Sequence, residues 1–196
     1  MEENLSEILT NDYYGKIAAA TQKAFSDYLE VENTILSKGI AIDFKPRTKG
    51  SFIHDLIVVR IKEQFEGCDD VRIGEFNGIF GILIEGIAFI RFKKISRNFS
   101  TSNVQTVQTV KYNNQVELEG FPKSPVKLYV GYLPNATWTA IDNIYMFYRE
   151  GENILWSTDL TNQIQSQPSM FDVETNEAPD VNITMKPNKD LKKKGA

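Results

Sequence analysis

The chain has little of the two residue types that build most metal and nucleophilic sites. Its 196 residues include one cysteine, Cys68, and one histidine, His54. One thiol cannot form an intrachain disulfide or a four-ligand zinc site, and catalytic sites that need two histidines are excluded. A nucleophile formed by Cys68 and His54 stays formally open, although Asp69 and Asp70 next to Cys68 disfavour its thiolate.

The sequence also has no signal for a membrane helix, a signal peptide or a glycine-rich nucleotide-binding loop. The longest apolar runs stop well short of the roughly 18 residues that a membrane helix needs, and the first 12 residues are too acidic for a signal peptide. We therefore expect a cytoplasmic protein without membrane contacts. Neither a Walker A loop nor a Gly-X-Gly-X-X-Gly motif occurs, and we expect no cofactor. The net charge of −4 gives no global basic field, so any binding to nucleic acid depends on a local patch.

Hydrophobic periodicity predicts two N-terminal helices followed by three strands. Apolar residues recur every three or four positions from Asn11 to Lys38, and again from Lys49 to Gly67. The period then changes to two, and turn signals stand at Asn77-Gly78 and Glu85-Gly86. The strands are predicted at residues 71–76, 79–84 and 87–95.

The second half of the chain predicts a short helix and three more strands. The helix covers residues 103–115, and the strands cover residues 126–133, 141–148 and 154–157. Residues 161–196 lose aromatic residues and periodicity, which is typical of a flexible polar tail. The fold class is therefore α+β: two N-terminal helices, then a mainly antiparallel sheet in the order βββ-α-βββ, forming a single domain over residues 1–160. We expect the first helix to cover one face of the sheet.

A compact group of cations ends the third predicted strand. Alternation places Arg91 and Lys93 on one face of the strand and Lys94 on the other. Cations beside an aromatic residue on a sheet can bind a nucleic-acid backbone or a partner protein. The second helix can add its own basic residues to this group, namely Arg47, Lys49 and Arg60. The alternative interpretation is that charged strand ends keep the sheet edge from pairing with other chains.

Two weaker candidates lie further along the chain. The side chains of Gln105, Gln108 and Asn113 can read base edges from the third predicted helix, or they can simply be solvated. Tyr132 and Trp138 mark a binding face if both are exposed, and otherwise belong to the core of the sheet.

The predicted αβββαβ order over residues 51–133 resembles the core of the PD-(D/E)XK nuclease superfamily. That resemblance implies a Mg²⁺ site with acids near the second and third strands and a lysine that helps to activate water. Glu85, with Glu75 as an outlying acid, matches the acidic positions, and Lys93 matches the lysine. Arg91 stands where the second acidic ligand is expected, so the resemblance implies a degenerate relative that does not cut.

Several short motifs between residues 45 and 160 are similar to those of a group of uncharacterised bacterial proteins carried on phage-derived and plasmid elements. The motifs are Arg47-Thr48-Lys49-Gly50-Ser51, Ile90-Arg91-Phe92-Lys93-Lys94, Thr106-Val107-Gln108, Tyr129-Val130-Gly131-Tyr132 and Trp156. The similarity implies a setting in mobile-element regulation or defence and no particular mechanism. The leading hypothesis is a non-enzymatic binding or regulatory protein that contacts nucleic acid or a partner protein. The alternatives are a metal-dependent nuclease and a phage structural or assembly protein.

Overall fold

The computed structural model describes Leu9 and residues 11–76, 78–101, 106–114 and 126–166. These residues form two long helices, a six-stranded sheet and a short crossover helix, which confirms the predicted α+β class and element order. The elements are α1 (Asn11–Ser37), α2 (Pro46–Gln64), β1 (Val71–Phe76), β2 (Ile79–Ile84), β3 (Ala88–Lys94), α3 (Val107–Asn113), β4 (Val126–Pro134), β5 (Ile141–Glu150), β6 (Asn153–Asp159) and a 3₁₀ helix (Thr161–Ser166). Residues 103–105 and 115 of the predicted third helix, and residues 167–196 of the predicted tail, lie outside the described residues.

The second helix begins at Pro46, earlier than the predicted Lys49. Proline suits the first turn of a helix, because the amide hydrogen that it lacks has no partner there. Lys45 before it is extended, at φ −60° and ψ 149°, as expected for a residue that precedes proline. Left-handed glycines follow both long helices, Gly39 at φ 76° and Gly67 at φ 79°, and they stop each helix where the sequence predicts.

The strands lie side by side in sequence order, from β1 to β6, in one sheet. Four of the five neighbouring pairs are antiparallel, and β3 and β4 are parallel, with Ala88 opposite Val126 and Lys94 opposite Tyr132. A parallel pair needs a crossover connection, and the segment between these strands carries α3. Phe76 pairs with Ile79 across the predicted first turn, of which Asn77 lies outside the described residues.

Both long helices cover one face of the sheet. Their buried side chains form one cluster with alternate residues of the strands, which confirms and extends the prediction for the first helix. Each such apolar side chain contributes on the order of 1.5–3 kcal/mol by leaving water. The cluster includes Ile17, Phe25 and Tyr28 of α1, Ile53 and Ile57 of α2, and Ile82, Phe92, Leu128 and Val130 of the sheet.

The short helix α3 covers the opposite face through Tyr112. The Tyr112 ring lies 5.0 Å from that of Tyr129, which stacks on Phe147 at 5.2 Å. The Tyr112 hydroxyl donates to the carbonyl oxygens of Leu128, at 2.8 Å, and Phe89, at 3.2 Å. Tyr112 therefore ties the crossover helix to the two strands that it connects.

The ladder between β2 and β3 stops before β3 ends. Its pairs run from Ile84 opposite Ala88 to Ile82 opposite Ile90, whereas β3 keeps pairing with β4 as far as Lys94. Gly81 lies next to the last of these pairs, and a Cβ atom there would lie 2.5 Å from the carbonyl oxygen of Ile90. Among the described residues, the cationic end of β3 therefore has no ladder partner on β2. Within the described residues, no helix is both long enough and apolar enough to cross a bilayer.

Candidate nucleic-acid interface

A cavity of about 620 Å³ lies between the start of α2 and the end of β3. We call it the α2–β3 cavity. Its basic wall consists of Arg47 from the first turn of α2 and of Lys93 and Lys94 from β3. Phe92 and Tyr132, which are buried in the core, close its inner side. Three of the six cations that the sequence predicted as a binding group thus converge on one site.

The packing of α2 on the sheet forms the cavity. Ile53 and Ile57 hold α2 against the core, and the Tyr132 hydroxyl of β4 lies 3.5 Å from the carbonyl oxygen of Gly50. The first turn of α2 therefore stands over the ends of β3 and β4. In that turn the Lys49 amide donates to the Lys45 carbonyl oxygen, whereas the amides of Arg47 and Thr48 have no carbonyl partner and carry partial positive charge.

Lys93 is the most perturbed cation of the cavity. Its ammonium group is half-buried, and burial together with repulsion from Arg91 lowers the pKa of Lys93 to about 8. Among the ion pairs of the described residues, none includes Lys93. A half-buried cation without an anionic neighbour favours an anion that enters the cavity.

His54 forms a neutral part of the same wall. Its ring meets that of Phe80 edge-on, with 6.2 Å between the ring centroids. Burial lowers the pKa of His54, and the charges of Lys93 and Arg91 lower it further, against the opposite effect of Asp55. The imidazole is therefore uncharged at neutral pH and offers one donor and one acceptor. Among the described residues, Asp55 is the one carboxylate that lines the cavity, and it is exposed.

Trp138 lies beside Lys94 of the cavity wall and one further lysine, Lys49. The Lys94 ammonium lies 5.1 Å from the centroid of the Trp138 ring, and that of Lys49 lies 6.0 Å from it. Lys49 also forms ion pairs with Glu32, at 3.2 Å, and Asp43, at 3.9 Å. The charge of Lys49 is therefore largely compensated, whereas Lys94 has no acidic partner in the described part of the chain and lies beside a partly exposed aromatic ring.

The remaining two predicted cations are engaged elsewhere. The guanidinium of Arg91 lies 5.6 Å from the ring centroid of Tyr112, on the α3 side of the sheet, and its Nη1 is buried without a hydrogen-bond partner. Arg60 pairs with Asp27 of α1 at 2.5 Å and with Glu63 at 2.6 Å. Neither side chain lines the α2–β3 cavity, so Arg91 and Lys93, which the sequence places on one face of β3, are not brought to one site.

The acids of the nuclease hypothesis do not converge. Phe80 lies opposite Glu75, and Glu85 follows the end of β2, five positions after Phe80, which is about 16 Å of extended chain. Glu85 instead lies 3.8 Å from Arg72. Across the described ranges, no cluster of three or more His, Cys, Asp or Glu side chains could hold a metal ion. The αβββαβ order is present. Of the residues that the nuclease hypothesis needs, Glu75, Glu85 and Lys93, only Lys93 lies at the cavity.

The two weaker candidate groups, the polar residues of the third predicted helix and the pair Tyr132 and Trp138, have different outcomes in the structure. Gln105 and the side chain of Gln108 lie outside the described residues, and the Asn113 amide oxygen accepts a hydrogen bond from Tyr129 at 2.6 Å. Tyr132 is buried and Trp138 is half-exposed, so they do not form a shared exposed face.

Cys68 and His54 do not meet. The Cys68 sulfur lies 3.6 Å from the Lys16 ammonium, and ten residues of α2, about 15 Å of helix, separate His54 from Gln64 at the end of the helix. Cys68 follows that end, so the formal Cys68–His54 nucleophile is not assembled.

The sequence does not indicate that His54 lines the cavity or that Trp138 contacts its cations. Only the packing of α2 on the sheet brings these two residues to the cations. No family model, curated protein or solved structure matches this chain.

Proposed function

We propose that this chain is a non-enzymatic nucleic-acid-binding protein that holds a phosphate group at the α2–β3 cavity. The observation that supports the proposal is the convergence of Arg47, Lys93 and Lys94 from two elements around one cavity. None of the three takes part in an ion pair within the part of the chain that the structure describes. The resemblance to mobile-element proteins adds a regulatory setting to this proposal.

Local charge, and not the net charge of −4, would drive this binding. Cations on a nucleic-acid-binding surface replace counterions on the phosphate backbone, which makes the affinity fall steeply with salt. Trp138 beside Lys94 offers a face on which a base can stack without sequence preference. The arrangement therefore suits a single strand better than a duplex groove.

A salt series with paired variants tests the proposal. We would measure the binding of a fluorescent single-stranded 12-mer to the wild type, to the double variant Arg47→Ala/Lys94→Ala, and to Lys62→Ala. Lys62 is an exposed lysine near the other end of α2 and is the matched control. We expect the double variant to bind at least about tenfold more weakly at low salt, with a log–log salt slope smaller by roughly 1.4, or about 0.7 for each lost contact.

Three results would overturn the proposal. The first is a double variant with the same affinity and salt slope as the wild type, or with no larger loss than Lys62→Ala. The second is cleavage of the 12-mer on addition of Mg²⁺, which would contradict the non-enzymatic part and favour the nuclease alternative. A wild type that binds no nucleic acid at low salt would leave a protein partner as the better hypothesis.

A further inference from the structure

We infer that the α2–β3 cavity binds a phosphate monoester, the phosphorylated end of a strand, in preference to a phosphodiester within the strand. The inference rests on the proposed function and specifies the substrate class of the same site. Its first support is the shape of the cavity. Phe92 and Tyr132 close the inner side, so a bound group enters from the surface and stops there. A volume of about 620 Å³ is in the range of pockets that enclose one small ligand.

The charges of the cavity match a dianion. Arg47, Lys93 and Lys94 supply three positive charges and Asp55 supplies one negative charge, while burial keeps His54 neutral. The excess is two positive charges. A phosphate monoester carries about −1.5 to −2 at pH 7, whereas a phosphodiester carries a single negative charge. The excess of two positive charges therefore favours the phosphate monoester at a strand end over a phosphodiester within the strand.

Lys93 is the residue best placed to make that discrimination. Its ammonium group is half-buried, and it is repelled by Arg91 instead of being paired with an acid. An entering anion relieves this unfavourable environment, and a dianion relieves it more than a monoanion. The lowered pKa of Lys93 agrees with this arrangement, since the empty cavity disfavours the charged amine. Ser51 and the His54 imidazole add neutral hydrogen-bonding groups to the same wall.

Oligonucleotides that differ only at their ends test the inference. We would use 12-mers of one sequence with a 5′-phosphate, a 3′-phosphate or two hydroxyl ends, each labelled away from the end under test. The proteins would be the wild type, Lys93→Met and the surface control Lys62→Met. We expect one phosphorylated 12-mer to bind the wild type at least about tenfold more tightly than the hydroxyl-ended one, and Lys62→Met to show the same ratio.

The variant Lys93→Met assigns the preference to the cavity. We expect it to reduce the ratio between the phosphorylated and hydroxyl-ended 12-mers to below about threefold, with an unchanged circular dichroism spectrum. A ratio that survives in Lys93→Met would overturn the assignment to this cavity. A nucleoside monophosphate serves as competitor, and we expect it to compete only weakly. Competition as strong as that of the phosphorylated 12-mer would overturn the strand-end assignment.

These measurements distinguish a failure of the inference from a failure of the proposed function. Equal binding of the phosphorylated and hydroxyl-ended 12-mers by the wild type would overturn the inference and leave the proposed function intact. Absence of binding to every 12-mer at low salt would overturn both.

Discussion

The Nε atom of Arg60 lies 2.5 Å from a carboxylate oxygen of Asp27, and this pair joins α2 to α1. A second hydrogen bond of 2.6 Å connects Arg60 to Glu63, and Lys23 lies 3.2 Å from Asp27. Burial opposes ionisation of Asp27, but the hydrogen bonds from Arg60 and Lys23 outweigh it and lower the pKa of the carboxyl group. Arg60 thus holds the two long helices together and is unavailable to an external anion.

Replacing Arg60 should destabilise the protein without weakening its binding to nucleic acid. Arg60→Ala leaves Asp27 largely buried without its main partner, so we expect the free energy of unfolding at pH 7 to fall by about 1–3 kcal/mol. The stability from a carboxyl group with a lowered pKa is present above its unfolded pKa and is lost as the pH falls through its folded pKa. The difference between wild type and variant, measured by urea unfolding, should therefore shrink below about pH 4. A difference that stays constant down to pH 2 would contradict this account.

Gly81 should tolerate no side chain. A Cβ atom at this position would lie 2.4 Å from a ring carbon of Phe89 and 2.5 Å from the backbone oxygen of Ile90. Because a backbone atom cannot give way as a side chain can, we expect Gly81→Ala to reduce the free energy of unfolding by about 1–3 kcal/mol. Chemical denaturation measures the effect. Gly74→Ala on neighbouring β1, where no atom lies within 4 Å of the added carbon, is the control. Equal losses in the two variants would show that strand propensity, and not the close approach, is responsible.

The Tyr112 hydroxyl should contribute to stability through two carbonyl groups. Tyr112→Phe keeps the ring but removes the donor to Leu128 and Phe89, and we expect a loss of about 1–2 kcal/mol in the free energy of unfolding. Tyr145→Phe is the matched control, since the Tyr145 side chain lies on the same face and is only half-buried. We expect the control to change stability by less than about 0.5 kcal/mol. Similar values for the two variants would mean that the Tyr112 hydrogen bonds add nothing.

Lys93 should reduce stability at neutral pH in the absence of ligand. The pKa of Lys93 is about 8 in the folded protein and near 10.5 when unfolded, so the unfolded state binds more protons between these values. Wild-type stability should therefore gain from a rise in pH between about 8 and 10.5, relative to Lys93→Met, which cannot titrate. Water screens the exposed part of the side chain, so we expect the variant to be more stable by about 1–2 kcal/mol at pH 7.

Thermal unfolding of the two proteins between pH 7 and pH 10 measures this difference. Arg91 on β3 repels the charge of Lys93, and the other charged or titratable groups at the cavity are Lys94 on β3 and Arg47, His54 and Asp55 on α2. They are common to both proteins, so the difference isolates Lys93. A less stable Lys93→Met at pH 7 would contradict the unfavourable environment on which the phosphate inference depends.

The order and approximate bounds of the elements could be read from the sequence. Periods of 3.6 and 2 are local properties, and glycines such as Gly39 and Gly67 mark the helix ends without reference to the rest of the fold. The parallel pairing of β3 with β4 could not be predicted in this way. Alternation of apolar and polar residues is the same in parallel and antiparallel strands, and the direction depends on how α3 crosses the sheet.

The candidate site was predicted only in part, because its composition depends on contacts between distant segments. Arg47 and Arg60 lie thirteen positions apart on α2, which is about 20 Å along the helix and about 140° around it. Helical geometry could therefore have separated them in advance. The partner of Arg60, Asp27, is 33 positions away in sequence, and no local pattern identifies it. The point at which the ladder between β2 and β3 ends, at Ile82 and Ile90, likewise has no local signal in the sequence.

The parallel junction between β3 and β4 also governs how the sheet assembles. On each side of it lies a set of three strands whose antiparallel neighbours are close in sequence, so each set can form from contacts of short range. The junction itself pairs Ala88 with Val126, across 38 positions of chain. Closing a loop of that length costs conformational entropy, and the pairing of the two strands offsets this cost only after the loop has closed. We therefore expect the pairing of β3 with β4 to limit the rate of folding, and the Tyr112 hydroxyl bonds to a carbonyl oxygen of each of these two strands.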